Sequence, residues 1–474
     1  MATQTPPPPV TEIEEASITE APPDFAGHPR GLPTLFFTEL WERFSYYGMR
    51  SILILYMTSS VAQGGMGFTV KDAASIYGTY TMSVYLTALP GGLIADYLTG
   101  ARLAVFLGGV VIAAGHFSMV FRSTTTFYLG LILISVGTGL LKPNISTMVG
   151  GLYRDNDPRR DSGFSIFYMG INLGSVLAGF VVGYLAKGVT FKSFLSSIGQ
   201  DPNSSWHYGF GAAGVGMVIG LIVYLLNQNK LKGVGNKIPR ASKTKTDADP
   251  AGVATRQPLT TGDWMRIGVI FIFFLFTILF WGAYEQKGAS LNLFADRLVR
   301  AEIFGMSFPV PFLQSLTGIF VIMLAPVFSW LWIRSGDKQP SIPAKFALGL
   351  MFIGLAFLLL VPASLATAGG KVTFWWLVAL YFLAVCGEMC LSPVGLSAVT
   401  KLAPLKLVGI MMGVWFLAAA TGNKLAGYLS GFFVSDNPGR LATLYGGIAI
   451  GLLVSAGILA LLTPTVKRMM GTVR

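Results

Sequence analysis

The run Glu39-Leu-Trp-Glu42-Arg43-Phe-Ser-Tyr46-Tyr47-Gly-Met-Arg50 sets two carboxylates and two guanidinium groups in an apolar stretch. Positions 39, 42, 43, 46, 47 and 50 follow the i, i+3, i+4, i+7 spacing of one helix face. Such a stripe can bind a carboxylate, carry a proton, or pair with charges elsewhere. For Arg43 the alternative is a structural pair with Glu39 or Glu42. Other apolar runs carry Lys142, Glu285, Glu388 and Lys424. Both halves of the chain thus supply charges of both signs. A cavity with a cationic wall and an acidic wall suits a zwitterion, whose carboxylate and ammonium each meet an opposite charge. That chemistry points to an amino-acid or peptide-like substrate.

The elements around these charges belong to a membrane. The chain has 474 residues, 53% of them hydrophobic and only 12% charged, where about 25% charge is usual for a soluble domain. The formal charge of +12 would suit nucleic acid, but the basic residues lie in short connectors between apolar segments, so no nucleic-acid partner is expected. Cys386 and Cys390, one helical turn apart in an apolar run, read as packing residues. His28, His116 and His207 are widely separated, so neither a metal nor a cofactor is expected.

A bilayer core about 30 Å thick takes about 20 apolar residues per helix. Runs of that kind fall at 34–58, 74–96, 102–121, 126–150, 163–187 and 206–226, and again at 266–288, 309–333, 344–365, 373–399, 407–433 and 441–462. The expected organisation is an N-terminal arm (1–33), a six-helix bundle (34–226), a polar basic linker (227–263), a second six-helix bundle (264–463) and a tail (464–474). This is an all-α membrane protein with the layout of the major facilitator superfamily, two six-helix repeats with the site between them. Arg154, Arg159, Arg160, Arg334, Lys338, Lys401, Lys406 and the linker put the basic loops on the side of the termini, which predicts both termini in the cytosol. In the loop after the second span, Asp96 and Arg102 can bond across a helix end. Against this frame, each charge in a span costs about 2.5–3.5 kcal/mol, so four in the first span cost on the order of 10 before pairing. No purely structural span needs that.

The first stripe is similar to the ExxERFxYYG motif of the proton-dependent oligopeptide transporter family. Phe167-Tyr168-Met-Gly-Ile171-Asn172-Leu-Gly174 resembles its FYxxINxG. Phe280-Trp281, Glu285-Gln286 and Gly288 match its seventh-helix pattern, Glu388-Met-Cys-Leu-Ser392-Pro393-Val394-Gly395 its tenth, and Trp415-Phe416 with Gly422-Asn423 its eleventh. The resemblance covers nearly all of residues 27–463. One departure is Thr317, where the family commonly has Asn.

The resemblance implies a proton-coupled symporter that imports di- and tripeptides, not an enzyme. It implies that Arg43 and Lys142 receive the peptide carboxylate, with Tyr46, Tyr47, Tyr85, Tyr168 and Asn172 nearby. Glu388 would hold the ammonium beside Ser392, and Trp281 and Trp415 would form side-chain pockets. For the tyrosines and tryptophans the alternative is helix packing. Glu388 can instead pair with Lys142 to close the cytosolic side. Glu39, Glu42 and Glu285 are the proton-coupling candidates, with Arg50 and Glu285 as an outer gate between the halves. Partners are then short peptides, protons and membrane lipid, and a monomer is expected to suffice. The compact loops favour a bacterial inner membrane. The nearest rival is the same fold carrying nitrate, a modified amino acid or a peptide-like drug.

Overall fold

The computed structural model describes residues 27–154, 157–236, 259–404 and 407–471. Residues 1–26 of the expected arm, 237–258 of the expected linker, Lys406 and residues 472–474 lie outside them. Among the described residues, twelve long helices follow one another: α1 (Gly31–Thr58), α2 (Val70–Leu86), α3 (Ala101–Ser118), α4 (Thr124–Gly150), α5 (Arg160–Lys187), α6 (Ser205–Leu226), α7 (Thr261–Tyr284), α8 (Phe312–Ser335), α9 (Ile342–Leu358), α10 (Trp375–Leu402), α11 (Val408–Ser430) and α12 (Pro438–Met470).

Ten helical stretches are long and apolar enough to cross a membrane, and α1 and α2 fall outside that set. The reasons differ. α1 carries its four charges. α2 stops after 17 residues because Pro90 has no N–H for the Leu86 carbonyl. The chain then continues as a short helix, Ala88–Ile94, and a final wide turn, Ala95–Thr99. Local signals set other starts. Thr69 accepts from the Asp72 N–H, Thr260 and Asp263 form a capping box, and Asn437 accepts from the Arg440 N–H, each satisfying an orphan donor of a first turn.

Helix pairing repeats with a shift of six. In the first half α1 packs on α5 and α6, α3 on α4 and α6, and a short extension of α2 on α4. In the second, α7 packs on α11 and α12, α9 on α10 and α12, and α8 on α10. The halves meet where α2 lies on α11 and α5 on α8, which are equivalent pairs under the same shift. This is the major facilitator architecture.

Departures from the expected spans fall mainly at helix ends. α7 gives way at Glu285 to a tight turn, Glu285–Gly288, and a further helix, Ser290–Leu298. A hairpin pairs Glu302 with Ser307. The helix Val189–Ser197 joins α5 to α6. α12 runs past Pro464 to Met470. The Asp96–Arg102 bond is replaced. Arg102 donates instead to the Gln228 carbonyl at 2.6 Å, because the chain after α6 folds back over the start of α3 and offers a free carbonyl there.

The contacts that cross between the halves gather on the side where α1 ends. Arg50 pairs with Glu285 and Lys187 with Asp296. The Ser51 carbonyl accepts from Asn292 at 2.7 Å and Gln314 at 3.4 Å. Ser315 donates to the Val176 carbonyl at 2.9 Å, and Lys424 to Thr79 Oγ1 at 2.6 Å. At the α2–α11 crossing the backbones touch. A Cβ on Gly427 would lie 2.6 Å from the Ala74 carbonyl oxygen and from Gly78 Cα, whereas carbon atoms pack at about 3.5–4.0 Å. Gly427→Val is therefore expected to hold the halves apart by about 1 Å or more at the crossing. Spin labels at Val61 and Phe304, exposed positions on the two halves, should show a distance distribution shifted outward. An unchanged distribution would mean that the crossing accommodates a side chain.

Candidate functional site

α1 delivers its stripe into the interface between the halves. Glu39, Glu42, Arg43 and Arg50 are all buried, none more than 4% exposed. Arg43 Nε lies 3.1 Å from Glu39 Oε1, one helical turn before it, and also bonds Glu42. The guanidinium carbon is 5.1 Å from the centre of the Tyr46 ring and 6.0 Å from that of Tyr47, within reach of cation–π attraction. The cluster does not satisfy itself. Arg43 Nη2, Glu39 Oε2 and Glu42 Oε1 are buried without hydrogen-bond partners. Leaving a buried charged group short of partners costs more than the about 1–3 kcal/mol of a neutral one.

Lys142 stands on α4 immediately before Pro143. Its Nζ lies 4.6 Å from the centre of the Tyr85 ring, and among the described residues no carboxylate forms an ion pair with it. The charges it senses are Arg43, Glu42, Glu39 and Glu285. The cationic side chains Arg43 and Lys142 thus share one region, bordered by Tyr46, Tyr47 and Tyr85.

Towards the end of α1, Arg50 pairs with Glu285 across the halves and donates to the Tyr77 hydroxyl. Its guanidinium carbon is 5.4 Å from the Tyr77 ring centre and 5.8 Å from that of Tyr46. Tyr46 therefore lies between the two arginines and touches both clusters.

On the second half, Glu388 accepts a hydrogen bond from the Tyr284 hydroxyl. Tyr284 is held by rings on two sides: Phe280 stacks on it at 5.6 Å, and Trp281 meets it edge-on at 5.4 Å. Tyr168 is 40% exposed and senses the Glu388 charge. Asn172 donates to the Tyr168 carbonyl at 3.0 Å, one turn back on α5. Ser392 is half-buried on α10, beside Pro393. Trp415 is placed apart from Trp281. It packs edge-on against Phe346 at 6.3 Å and covers Gly395. Lys142 and Glu388 form no ion pair in this arrangement.

Three participants escape the sequence reading: Tyr77, Tyr284 and Lys287. Nothing in a single sequence distinguishes these tyrosines from packing residues. Lys287 did carry a signal. It lies inside the expected span 266–288, two residues after Glu285, and has the same insertion cost. Among the described residues no group of His, Cys, Asp and Glu has a metal-holding arrangement, and Cys386 and Cys390 are free thiols.

The chain matches the model of the POT family over residues 102–246 and 259–441, more than half its length. It is 36% identical to peptide transporter YePEPT of Yersinia enterocolitica, with 94% of this chain and 96% of that protein covered. It is 33% identical to the di-/tripeptide transporter of Lactococcus lactis, with 95% and 98% covered. A crystal structure of a mutant of peptide transporter POT in complex with alafosfalin superimposes with a TM-score of 0.84 at 38% identity, over 95% of this chain and 98% of that one. The resemblance carried by the α1 stripe and the motifs of α5, α7, α10 and α11 thus extends over almost the whole chain, which is an integral membrane transporter and belongs to the POT family.

Proposed function

We propose that this transporter is a proton-coupled symporter that imports di- and tripeptides by alternating access. The observation that carries the reading is the set of buried charges left short of partners. Among the described residues, on one half Arg43 Nη2 has no acceptor and Lys142 has no ion-pair partner. On the other, Glu388 holds a phenol and no cation at ion-pair distance. A peptide zwitterion supplies what both lack, a carboxylate for Arg43 and Lys142 and an ammonium for Glu388. Arg43 would offer a planar fork and Lys142 a point charge, while Tyr46, Tyr47, Tyr85, Tyr168, Asn172 and Ser392 line the space between. Trp281 and Trp415 would receive side chains. The names of the relatives in Yersinia and Lactococcus agree with this substrate class.

Coupling would run through the Arg50–Glu285 pair. In the outward-closed form the ionised carboxylate holds the guanidinium. A proton from outside removes that charge, weakens the pair and lets the halves part. When the outer side closes again, Arg50 returns and the proton leaves inward. Glu39 and Glu42 are the second choice for the proton, since Arg43 already binds both. One proton suffices. A pH difference of one unit gives about 1.4 kcal/mol and −100 mV adds about 2.3, enough for roughly 500-fold accumulation of a neutral solute. In this reading the termini are cytosolic, the closed side faces the periplasm of a bacterial inner membrane, and a monomer carries the whole cycle.

The decisive measurement is uptake of a labelled dipeptide into liposomes with and without an inward proton gradient. Gradient-driven accumulation is expected, and competition by nitrate but not by di- or tripeptides would point to the rival solute class. Lys142→Ala should reduce driven uptake by about 100-fold, the scale of about 2.7 kcal/mol for a lost charge-assisted contact; wild-type rates would remove Lys142 from the site. Glu388→Gln should harm free-amino dipeptides at least about tenfold more than N-acetylated ones, whereas equal losses would assign it to closing the cytosolic side. Glu285→Gln, a fixed mimic of the protonated form, should lose driven accumulation and keep counterflow of labelled against unlabelled dipeptide. Full accumulation by that variant would move coupling to Glu39 or Glu42.

A further inference from the structure

Lys287 stands in the turn Glu285–Gly288 at the end of α7. Its Nζ lies 4.0 Å from the centre of the Tyr284 ring, the ring whose hydroxyl holds Glu388. Among the described residues no carboxylate forms an ion pair with it. The charges within its electrostatic reach are Glu285 on its own turn, Glu388 on α10 and Arg50 on α1. The cation thus sits over the face of the ring whose hydroxyl bonds Glu388. It also lines a small enclosed cavity with Tyr284, Tyr381 and Thr317. The Thr317 hydroxyl is buried and has no hydrogen-bond partner. Lys345, a buried cation of α9, donates to Gln339 Oε1 at 2.9 Å and lies over the Trp332 ring instead.

These placements alter the charge of the second half's wall. Glu285 faces Arg50 from the first half, and Glu388 lies within electrostatic reach of Glu285 and Lys287. With Lys287 absent, those three groups would sum to one negative charge. With it, two carboxylates meet two cations and the wall is neutral. A peptide's ammonium still finds Glu388, because the Tyr284 ring keeps Lys287 from pairing with that carboxylate directly. A second positive charge on the peptide finds no unanswered carboxylate on this wall and is repelled by Lys287 through a poorly screened interior. A negative side chain is drawn the same way, and the Thr317 hydroxyl adds a donor on that side.

We propose that Lys287 is a charge-selecting residue of the peptide cavity, disfavouring peptides with cationic side chains and favouring those with acidic ones. The proposal rests on the peptide-import reading and deepens it by naming the class of side chain. It acts over distance, so it makes a prediction that a packing role does not: the effect follows the charge of residue 287 and the charge of the peptide, not side-chain size.

The test compares inhibition of labelled Ala-Ala uptake by unlabelled Ala-Lys and Ala-Glu in liposomes. The readout is the ratio of their inhibition constants, which is independent of how much active protein each variant supplies. In wild type Ala-Glu should inhibit better than Ala-Lys. In Lys287→Met and Lys287→Gln the ratio should move about tenfold towards Ala-Lys. Lys287→Arg keeps the charge and should keep the wild-type ratio. Two neutral variants guard against one failing to reconstitute, and detergent-solubilised protein can supply the same ratio from competition binding. An unchanged ratio in the neutral variants, with Ala-Ala uptake intact in wild type, overturns the assignment and leaves the peptide reading standing. A shift of equal size in Lys287→Arg also overturns it, since that would mark shape rather than charge. Failure of wild type to take up Ala-Ala or to bind any dipeptide overturns the peptide reading itself, and this proposal with it.

Discussion

A guanidinium from one half of the molecule meets a carboxylate from the other, inside a region built to exclude water. The Arg50–Glu285 pair is the constraint on which the rest of the structure depends. Each group alone would be costly in a bilayer, and removing one partner of a buried pair typically costs about 3–5 kcal/mol. The halves are therefore held together by a buried ion pair. The neighbouring elements conform to it. Tyr77 accepts from Arg50 and limits its direction, Gly288 leaves room for Tyr77 against the turn, and Asn292 and Gln314 lock the Ser51 carbonyl one residue further along α1.

Much of this was legible in the sequence for a single physical reason. Charge is expensive in an apolar span, so Glu39, Glu42, Arg43, Arg50, Lys142, Glu285 and Glu388 stand out from composition alone. Their helical spacing then places the α1 group on one face. The twelve-helix frame follows from run length, even though α1 and α2 are the weakest spans by apolarity. α1 is weak because it carries four charges, and α2 because Pro90 interrupts it.

What stayed hidden has equally physical causes. Tyr77 and Tyr284 matter through the partner of one hydroxyl, and periodicity says nothing about partners. The replacement of the Asp96–Arg102 bond depends on where the chain after α6 returns, a long-range fact. Lys287 was hidden by its neighbours: Glu285-Gln286 drew attention as a motif, and a lysine at the end of a span looks like one that reaches for the interface. The structure turns its ammonium onto the Tyr284 ring instead.

The crossing of α2 over α11 has a consequence of a different kind. Gly78 and Gly427 touch through bare backbone, so no side chains interlock there. Surfaces that mesh knobs into holes move in steps, one register at a time. A smooth contact offers no such steps and can slide or roll with little resistance. Any movement of the halves against each other would meet little steric resistance at this crossing, and the polar contacts around it would set their preferred arrangement. It also restricts how the gene can drift. A methyl group gained by either glycine cannot be absorbed by shrinking the other, because neither has anything left to remove. The two positions are locked in composition by each other.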